Sequence, residues 1–338
     1  MDLNKVREIA KDRMKGYCRV CPVCDGRACA GQVPGIGGTG TGSAFSANLN
    51  ALAKVKLNLR TIHEAVNPDL SIAVFGEKLN TPILAAPITG ASINMGGAIS
   101  EREMVDAMLQ GTLAAGSLGM TGDTGVPSMY DDGLAGIRAV NGRGIPFIKP
   151  RSNDEIKKRI EKAEEAGALA VGVDVDGAGL ITMALNGQPV GPKSFKDIKE
   201  LVSFTELPFI IKGIMTADEA ETVAAAGVSA IVISNHGGRV LDYAQGAARV
   251  LPAIADRLDG KLTIFADGGV RAGTDVLKLL ALGADAVLVG RPLIIGAFGG
   301  DREGVKLTIE TYTKQLLQAM ILTGTAKASD VPQGVVVS

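Results

Sequence analysis

Three stretches of this chain repeat one design. AEEAGALAVGVDVDG, VAAAGVSAIVISNHGG and LLALGADAVLVGRP each run from a helix end through a glycine and a short spacer into an apolar strand. LAAGSLGMTG is a fainter fourth copy. The glycines are Gly116, Gly167, Gly227 and Gly283, spaced 51, 60 and 56 residues apart. A glycine just past the last helical turn takes the left-handed conformation and closes the helix before the strand begins. Four more apolar runs lie between the copies: TPILAAP, IPFIKP, LPFIIKG and LTIFADGG. Three of them begin next to a proline, which a buried strand tolerates only at its first position. The total is eight strands, starting near residues 82, 117, 146, 169, 208, 229, 262 and 285. Helical patterns such as NDEIKKRIEKAEEAG and TADEAETVAAAG separate them. Apolar strands alternating with amphipathic helices form a parallel sheet covered on both faces. Eight such units in roughly 240 residues predict an α/β fold, a closed (β/α)8 barrel with an N-terminal extension. An open doubly wound sheet does not account for the evenly repeated two-unit period.

The barrel is expected over residues 76–338, preceded by a segment, residues 1–75, that packs at its mouth. Within that segment GQVPGIGGTGTGSAF reads as a mobile glycine-rich flap. Its GIGGTG imitates a dinucleotide fingerprint, but no strand leads into it and no periodic helix follows. Residues 302–323 read as the last helix. The chain has 338 residues, 46% apolar, ample for one large core. Lys plus Arg is 35 and Asp plus Glu is 36, so nothing attracts nucleic acid or an anionic membrane in bulk. The charged N-terminus lacks an apolar signal core, and no run of 18 apolar residues occurs. The expectation is a soluble, cytoplasmic homo-oligomer acting on a small molecule.

In a barrel of this kind chemistry gathers at the carboxyl ends of the strands. The residues there are Pro87 and Thr89, Thr121, Lys149, Asp174, Lys212, Asn235 with His236, Asp267, and Gly290 with Arg291. The last two turns bring Gly268, Gly269, Arg271 and Arg291 together near a helix start, the makings of a phosphate site. Lys212 ends an apolar strand, where an ammonium is costly without an anion or a ligand. His236, one of two histidines, sits beside Asn235, two glycines and Arg239, so a catalytic base is favoured over a packed core imidazole. Asp174 either holds a turn or orients His236, since an imidazole base commonly needs a carboxylate on its other nitrogen. His63 lies ahead of the barrel and reads as structural.

These residues resemble the FMN-dependent α-hydroxy-acid dehydrogenase/oxidase family. IIKG followed by ISNHGGRVLD, then ADGGVRAGTDVLKLLALGADAVLVGRP, carries the likeness, and FGEKLNTPILAAPIT resembles that family's first-strand region. The match spans roughly residues 58–323 and is most specific across 208–292. The resemblance implies a TIM barrel holding FMN. Lys212 would sit by the flavin N1/O2 edge. His236 would take the α-hydroxyl proton while hydride passes to N5, and Arg239 would bind the substrate carboxylate. Ser234 and Gly237 would lie by the flavin or beside the base. Asp267, Gly269, Arg271, Gly290 and Arg291 would hold the ribityl phosphate. Ala86, Pro87 and Ile88 would line the flavin's edge, with Thr121 in the same cofactor-facing set.

The chain departs from that pattern in two strands. Where the family's third strand reads Gln-Leu-Tyr, this one has Ile148, Lys149 and Pro150. Where the fourth reads Thr-Val-Asp followed by Gly and Arg, it keeps Asp174 but has Gly172 and no arginine nearby. The family's N-terminal tyrosine has no clear equivalent. The expected activity is FMN-dependent oxidation of a 2-hydroxy acid or a related α-substituted carboxylate, with an unspecified electron acceptor. Two alternatives are a flavin-dependent isomerase of the type 2 isopentenyl diphosphate kind, which His236 argues against, and a catalytically silent flavin or electron-transfer module.

All four cysteines, Cys18, Cys21, Cys24 and Cys29, fall within twelve residues in a C-x2-C-x2-C-x4-C spacing. Disulfides stapling a secreted fold are not clustered so tightly. Four thiolates this close suit an iron–sulfur cluster or tetrahedral zinc, with reduced structural thiols or a redox pair as the alternatives. A cluster beside a flavin would give electrons an exit other than oxygen.

Overall fold

The computed structural model describes residues 1–337. The four repeated glycines hold the left-handed backbone that the repeat requires. Their φ is 74° at Gly116, 68° at Gly167, 92° at Gly227 and 106° at Gly283. Each releases the chain into a strand of a closed, parallel, eight-stranded barrel ordered as in the sequence. The strands are β1 (Ile83–Ile88), β2 (Gly119–Thr121), β3 (Gly144–Ile148), β4 (Val171–Asp174), β5 (Phe209–Ile214), β6 (Ala230–Ile233), β7 (Thr263–Ala266) and β8 (Ala286–Val289). Pro82 and Pro208 stand just ahead of β1 and β5, as expected. Pro146 instead sits inside β3, opposite Thr121, the last residue of the short β2, where that ladder ends.

Two helices precede the barrel, α1 (Leu3–Arg13) and α2 (Ser43–Lys54). Crossovers are made by α3 (Glu101–Ala114), α4 (Pro127–Ala139), α5 (Asn153–Glu165), α6 (Phe195–Val202), α7 (Ala217–Ala225), α8 (Ala247–Leu258) and α9 (Gly273–Ala281). The last helix, α10 (Arg291–Thr323), breaks at Gly300 and Asp301. Its second limb is the terminal helix expected over 302–323.

Successive strand residues point to opposite faces. Leu84, Met120, Phe147, Ile210, Phe265 and Leu288 fill the barrel, while Ile83, Ile211, Ile231 and Val287 meet the helices. Each such buried side chain contributes about 1.5–3 kcal/mol. Gly172 belongs to this packing. A Cβ there would lie 2.3 Å from the Phe147 ring, so the missing side chain makes room for an aromatic core residue. A hairpin, Ile72–Val74 with Glu77–Leu79, closes the floor, and Phe75 meets Phe265 edge-on with ring centroids 6.2 Å apart. The boundary expected after residue 75 therefore falls in the turn of a hairpin that packs with the barrel interior.

Upstream of that hairpin the chain covers the other end. Arg13 Nη1 on α1's last turn donates to Phe298 O on α10, 3.0 Å. Helix α2 lies over the strand ends, where Asn48 Nδ2 donates to Asn235 Oδ1 at 2.7 Å and Asn48 Oδ1 accepts from Ala247 N at 3.1 Å. Lys56–Leu57 pairs antiparallel with Val336–Val337. Among the described residues no helix is long and apolar enough to cross a membrane.

Candidate active site

A cavity of about 160 Å³, open to solvent, lies at the carboxyl ends of the strands. Five titratable side chains meet on its wall and just behind it. Lys149 Nζ is 2.5 Å from Asp174 Oδ2, and Lys212 Nζ is 3.1 Å from Asp174 Oδ1. His236 Nδ1 is 2.9 Å from Asp176 Oδ1 and 3.5 Å from Asp174 Oδ1. Asp174 thus bridges two lysines. The carboxylate nearest the imidazole is Asp176, two residues further on, in the turn that follows β4. Of the two roles open to Asp174, holding a turn or orienting His236, the second falls more directly to Asp176, which is 0.6 Å nearer the ring (2.9 against 3.5 Å).

Local sequence explains the arrangement. His236, Gly237 and Gly238 all have positive φ, so a tight turn lifts the imidazole off the end of β6. Asn235 holds that turn by accepting from Gly238 N at 3.0 Å while donating to Gln245 O at 2.9 Å. Gly213, with φ 103°, marks a register shift in β5. A Cβ there would stand 2.5 Å from Asp176 Cβ, so this glycine admits the carboxylate.

Burial acts first on every charge in the cluster, and the neighbours then decide its sign. Burial pushes the Asp174 carboxyl up, but the facing His236, Lys149 and Lys212 hold it well below the usual carboxylate range. Burial raises Asp176 well above that range, and Asp174 adds to the rise. The same desolvation drives His236 well below the usual imidazole value, which favours the neutral ring. Burial works against the Lys212 ammonium, yet Asp174, Asp176 and Asp267 reverse it and keep the lysine charged. A neutral imidazole that donates from Nδ1 to a carboxylate has Nε2 free to accept a proton.

The other side of the cavity is cationic. Arg239, Arg271 and Arg291 come together, and among the described residues none has a carboxylate within 4.0 Å. Burial and the like charges of Arg239 and Arg271 pull the Arg291 guanidinium down. Such a group calls for an anion. The arginines also fasten the glycine-rich segment expected to be a mobile flap. Arg239 Nη1 donates to Gly35 O and Gly37 O, and Arg291 Nε donates to Ile36 O at 2.8 Å. Arg291 also stacks on Phe45, 3.9 Å from the ring centroid. The segment is pinned across the mouth.

FMN fits what is present. The guanidinia of Arg271 and Arg291 suit a phosphate, and the buried Lys212 ammonium suits a ring that gains negative charge. Asp267 Oδ1 is buried with no partner, while its Oδ2 accepts from Ser234 Oγ at 2.8 Å. An unpartnered carboxylate oxygen fits the hydroxyls of the ribityl chain. It would repel the phosphate that the sequence reading assigned to it. Gly268 and Gly269 line the cavity with φ of 96° and 85°, yet a Cβ on either would strike Asn48. Their closest approach is to helix α2.

Ala86, Pro87, Ile88, Gly237 and Gly290 line the cavity. Thr121 does not. It faces outward on β2, toward Gly133 of α4, because the inward parity belongs to Met120. Ser234 is also set back: its Oγ accepts from His236 N at 3.1 Å, behind the wall. His63 is exposed and accepts from Ala65 N, away from the cavity. Sequence reasoning missed Asp123, whose Oδ2 accepts from Arg151 Nε at 3.0 Å and from Lys149 N at 3.1 Å. It also missed Asn94, which accepts from Arg239 Nη2 at 3.1 Å. Asp176 was visible only as a second acid two residues after Asp174.

The cysteines occupy a separate small cavity under the same arginines. All four are free thiols. Among the described residues only Asp174, Asp176 and His236 gather three ligand atoms within 4.8 Å of one another, so the sulfurs are not closed to the spacing of a single zinc ion.

Fold and site together define a barrel oxidoreductase with a cationic cofactor cavity. The family model for FMN-dependent dehydrogenases matches residues 36–188 and 181–338. Relatives include an L-lactate oxidase of Lacticaseibacillus rhamnosus, 32% identical over 88% of this chain and 86% of that protein. Human 2-hydroxyacid oxidase 1 is 33% identical over 82% of this chain and 84% of its own. Among solved structures, mandelate oxidase with (S)-2-phenylpropionate superposes with a TM-score of 0.80 at 26% identity, covering 98% of this chain and 97% of that one. A mandelate oxidase variant carrying a monooxide FMN adduct superposes at 0.73 and 27% identity, over 92% and 98%. The chain belongs to the FMN-dependent dehydrogenase family, whose members are hydroxy-acid oxidoreductases.

Proposed function

We propose that this enzyme oxidises a 2-hydroxy acid to the 2-oxo acid in the mouth cavity, with His236 as base. The observation that carries the reading is the partly buried imidazole, its Nδ1 2.9 Å from Asp176 Oδ1, where desolvation favours the neutral ring, in a member of this family. Bound FMN supplies the hydride acceptor. The protein's own groups do the rest. His236 Nε2 accepts the hydroxyl proton. Asp176 fixes the tautomer by accepting from Nδ1–H and stabilises the imidazolium that forms. Lys212 keeps a positive charge where negative charge develops. Arg239 and Lys149 are the cations on the wall that can meet the substrate carboxylate.

The test is anaerobic flavin reduction by a panel of 2-hydroxy acids. Bleaching by at least one acid, lost in His236→Ala with FMN retained, is the expected result. An isomerase or a silent flavin module would show no net bleaching with any of them.

A further inference from the structure

We propose that Cys18, Cys21, Cys24 and Cys29 ligate a [4Fe–4S] cluster beside the phosphate-facing arginines. All four are free and all four line one cavity. The first three follow the C-x2-C-x2-C run that wraps a cuboidal cluster, and Cys29 supplies the fourth thiolate locally. The loop that aims them is built at a cost. Val20, between Cys18 and Cys21, has φ 45°, a conformation a β-branched residue rarely adopts. That geometry lets Val20 N donate to Cys18 Sγ at 3.3 Å, the kind of N–H···S bond that tunes a ligated sulfur. Arg271 Nη2 reaches Cys24 Sγ at 3.4 Å and Cys24 O at 3.1 Å, and Arg7 Nη2 donates to Cys21 O at 2.6 Å. These arginines have no carboxylate partner among the described residues. Their charge complements four thiolates.

The sulfurs are not gathered to the spacing of a single zinc ion. A tetrahedral zinc with bonds of about 2.3 Å draws its four sulfurs to roughly 3.8 Å from one another. No three of these sulfurs come within 4.8 Å among the described residues. A cluster interposes its own iron and sulfide, so its ligands stand further apart. Arg291 and Ile36 line both this cavity and the large one. The cluster and the flavin phosphate site are thus neighbours across a single layer of side chains.

The full-length protein, purified without oxygen and reconstituted with ferrous iron and sulfide, tests this. The expected result is about four iron and four sulfide per chain, with an electron paramagnetic resonance signal after dithionite reduction. Cys21→Ser should lose most of both. Flavin content, read in the same samples, should not change with it, since Arg7 holds the Cys21 main-chain carbonyl and not its sulfur. Should that variant fail to fold, the wild-type counts still decide. About two irons per chain, zinc in place of iron, or neither metal nor sulfide overturns the proposal.

Discussion

His236 and Asp176 meet at 2.9 Å, while Asp174, the carboxylate on the strand itself, is held by Lys149 and Lys212. The two acids therefore have separable consequences. Asp176→Asn removes the group that stabilises the imidazolium. Flavin reduction should slow by about 10²–10⁴-fold, the range of positioned acid–base catalysis, with FMN retained. Asp174→Asn leaves the buried Lys149 ammonium facing no full charge, and leaves Lys212 only the more distant Asp176, 3.9 Å away. It should cost about 3–5 kcal/mol of stability, read as a lowered Tm, before any effect on rate. Stopped-flow reduction and thermal unfolding of both variants check the division. Equal rate losses with equal Tm would refute it.

Acid should affect the two partners of that pair differently. Asp176 is raised by burial and by Asp174, so falling pH protonates it early and removes the negative charge that faces Nδ1–H. His236 is lowered, so its ring stays neutral through the usual imidazole value of about 6.5 and remains a base below it. In Asp176→Asn the residual rate reports the imidazole without that carboxylate. It should run level as pH falls through about 6.5. Single-turnover reduction between about pH 5 and 9 reads this, and a variant acid limb centred at or above 6.5 would contradict the assignment.

Much of this was legible because each signal had a single physical meaning. The left-handed glycines ended helices wherever the repeat placed them. The eight apolar runs became strands within about three residues of their expected starts. Lys212, His236 and the two arginines stood out because charge at the end of a buried strand needs a partner. Parity was harder to read: β2 is so short that Thr121 and Met120 competed for the inward face, and Met120 took it. Asp176 lies in a turn whose shape depends on a bulge in the neighbouring strand. That bulge depends on Gly213, which nothing in its own segment singles out. The glycine-rich segment looked free because its anchors, Arg239 and Arg291, come from about 200 and 250 residues downstream.

Gly213 offers a direct test of that dependence. At φ 103° an alanine is strained, and its Cβ would sit 2.5 Å from Asp176 Cβ and Cγ. Gly213→Ala should cost about 1–3 kcal/mol of stability and displace the carboxylate from His236. Flavin reduction should fall with the FMN content unchanged. A variant that keeps full rate would show that His236 does not rely on Asp176.

Arg271 carries a different load. It lines the cavity and, through Nε and Nη2, also grips Cys24 O. Arg271→Ala should weaken FMN retention by about 10–100-fold in Kd, the worth of one charge-assisted contact. Equilibrium dialysis against free FMN measures it. Unchanged retention would leave Arg291 as the phosphate's partner.

Substrate choice turns on what Arg239 has left to give. Its Nη1 is engaged by Gly35 O and Gly37 O, and its Nη2 donates to Asn94 Oδ1. The tyrosine of the third strand and the arginine after the fourth that the resemblance led one to expect are missing, and Ile148, Lys149, Pro150 and Gly172 stand in those strand regions instead. A small acid such as lactate has only its carboxylate and hydroxyl to offer. It would meet one partly committed guanidinium and Lys149, which Asp174 already holds. Binding energy from remote parts of a substrate is what orients the reacting centre, so an acid with a larger or second anionic group should use the wide, cationic mouth better. Lactate and glycolate should therefore reduce the flavin slowly and without saturating, while a bulkier or dicarboxylic 2-hydroxy acid saturates. Lys149→Met should raise KM for the better substrate more than it lowers kcat, the mark of a lost ground-state contact. Stopped-flow reduction across the series decides it: rapid, saturating reduction by lactate would show that Arg239 and Lys149 suffice for the smallest acids.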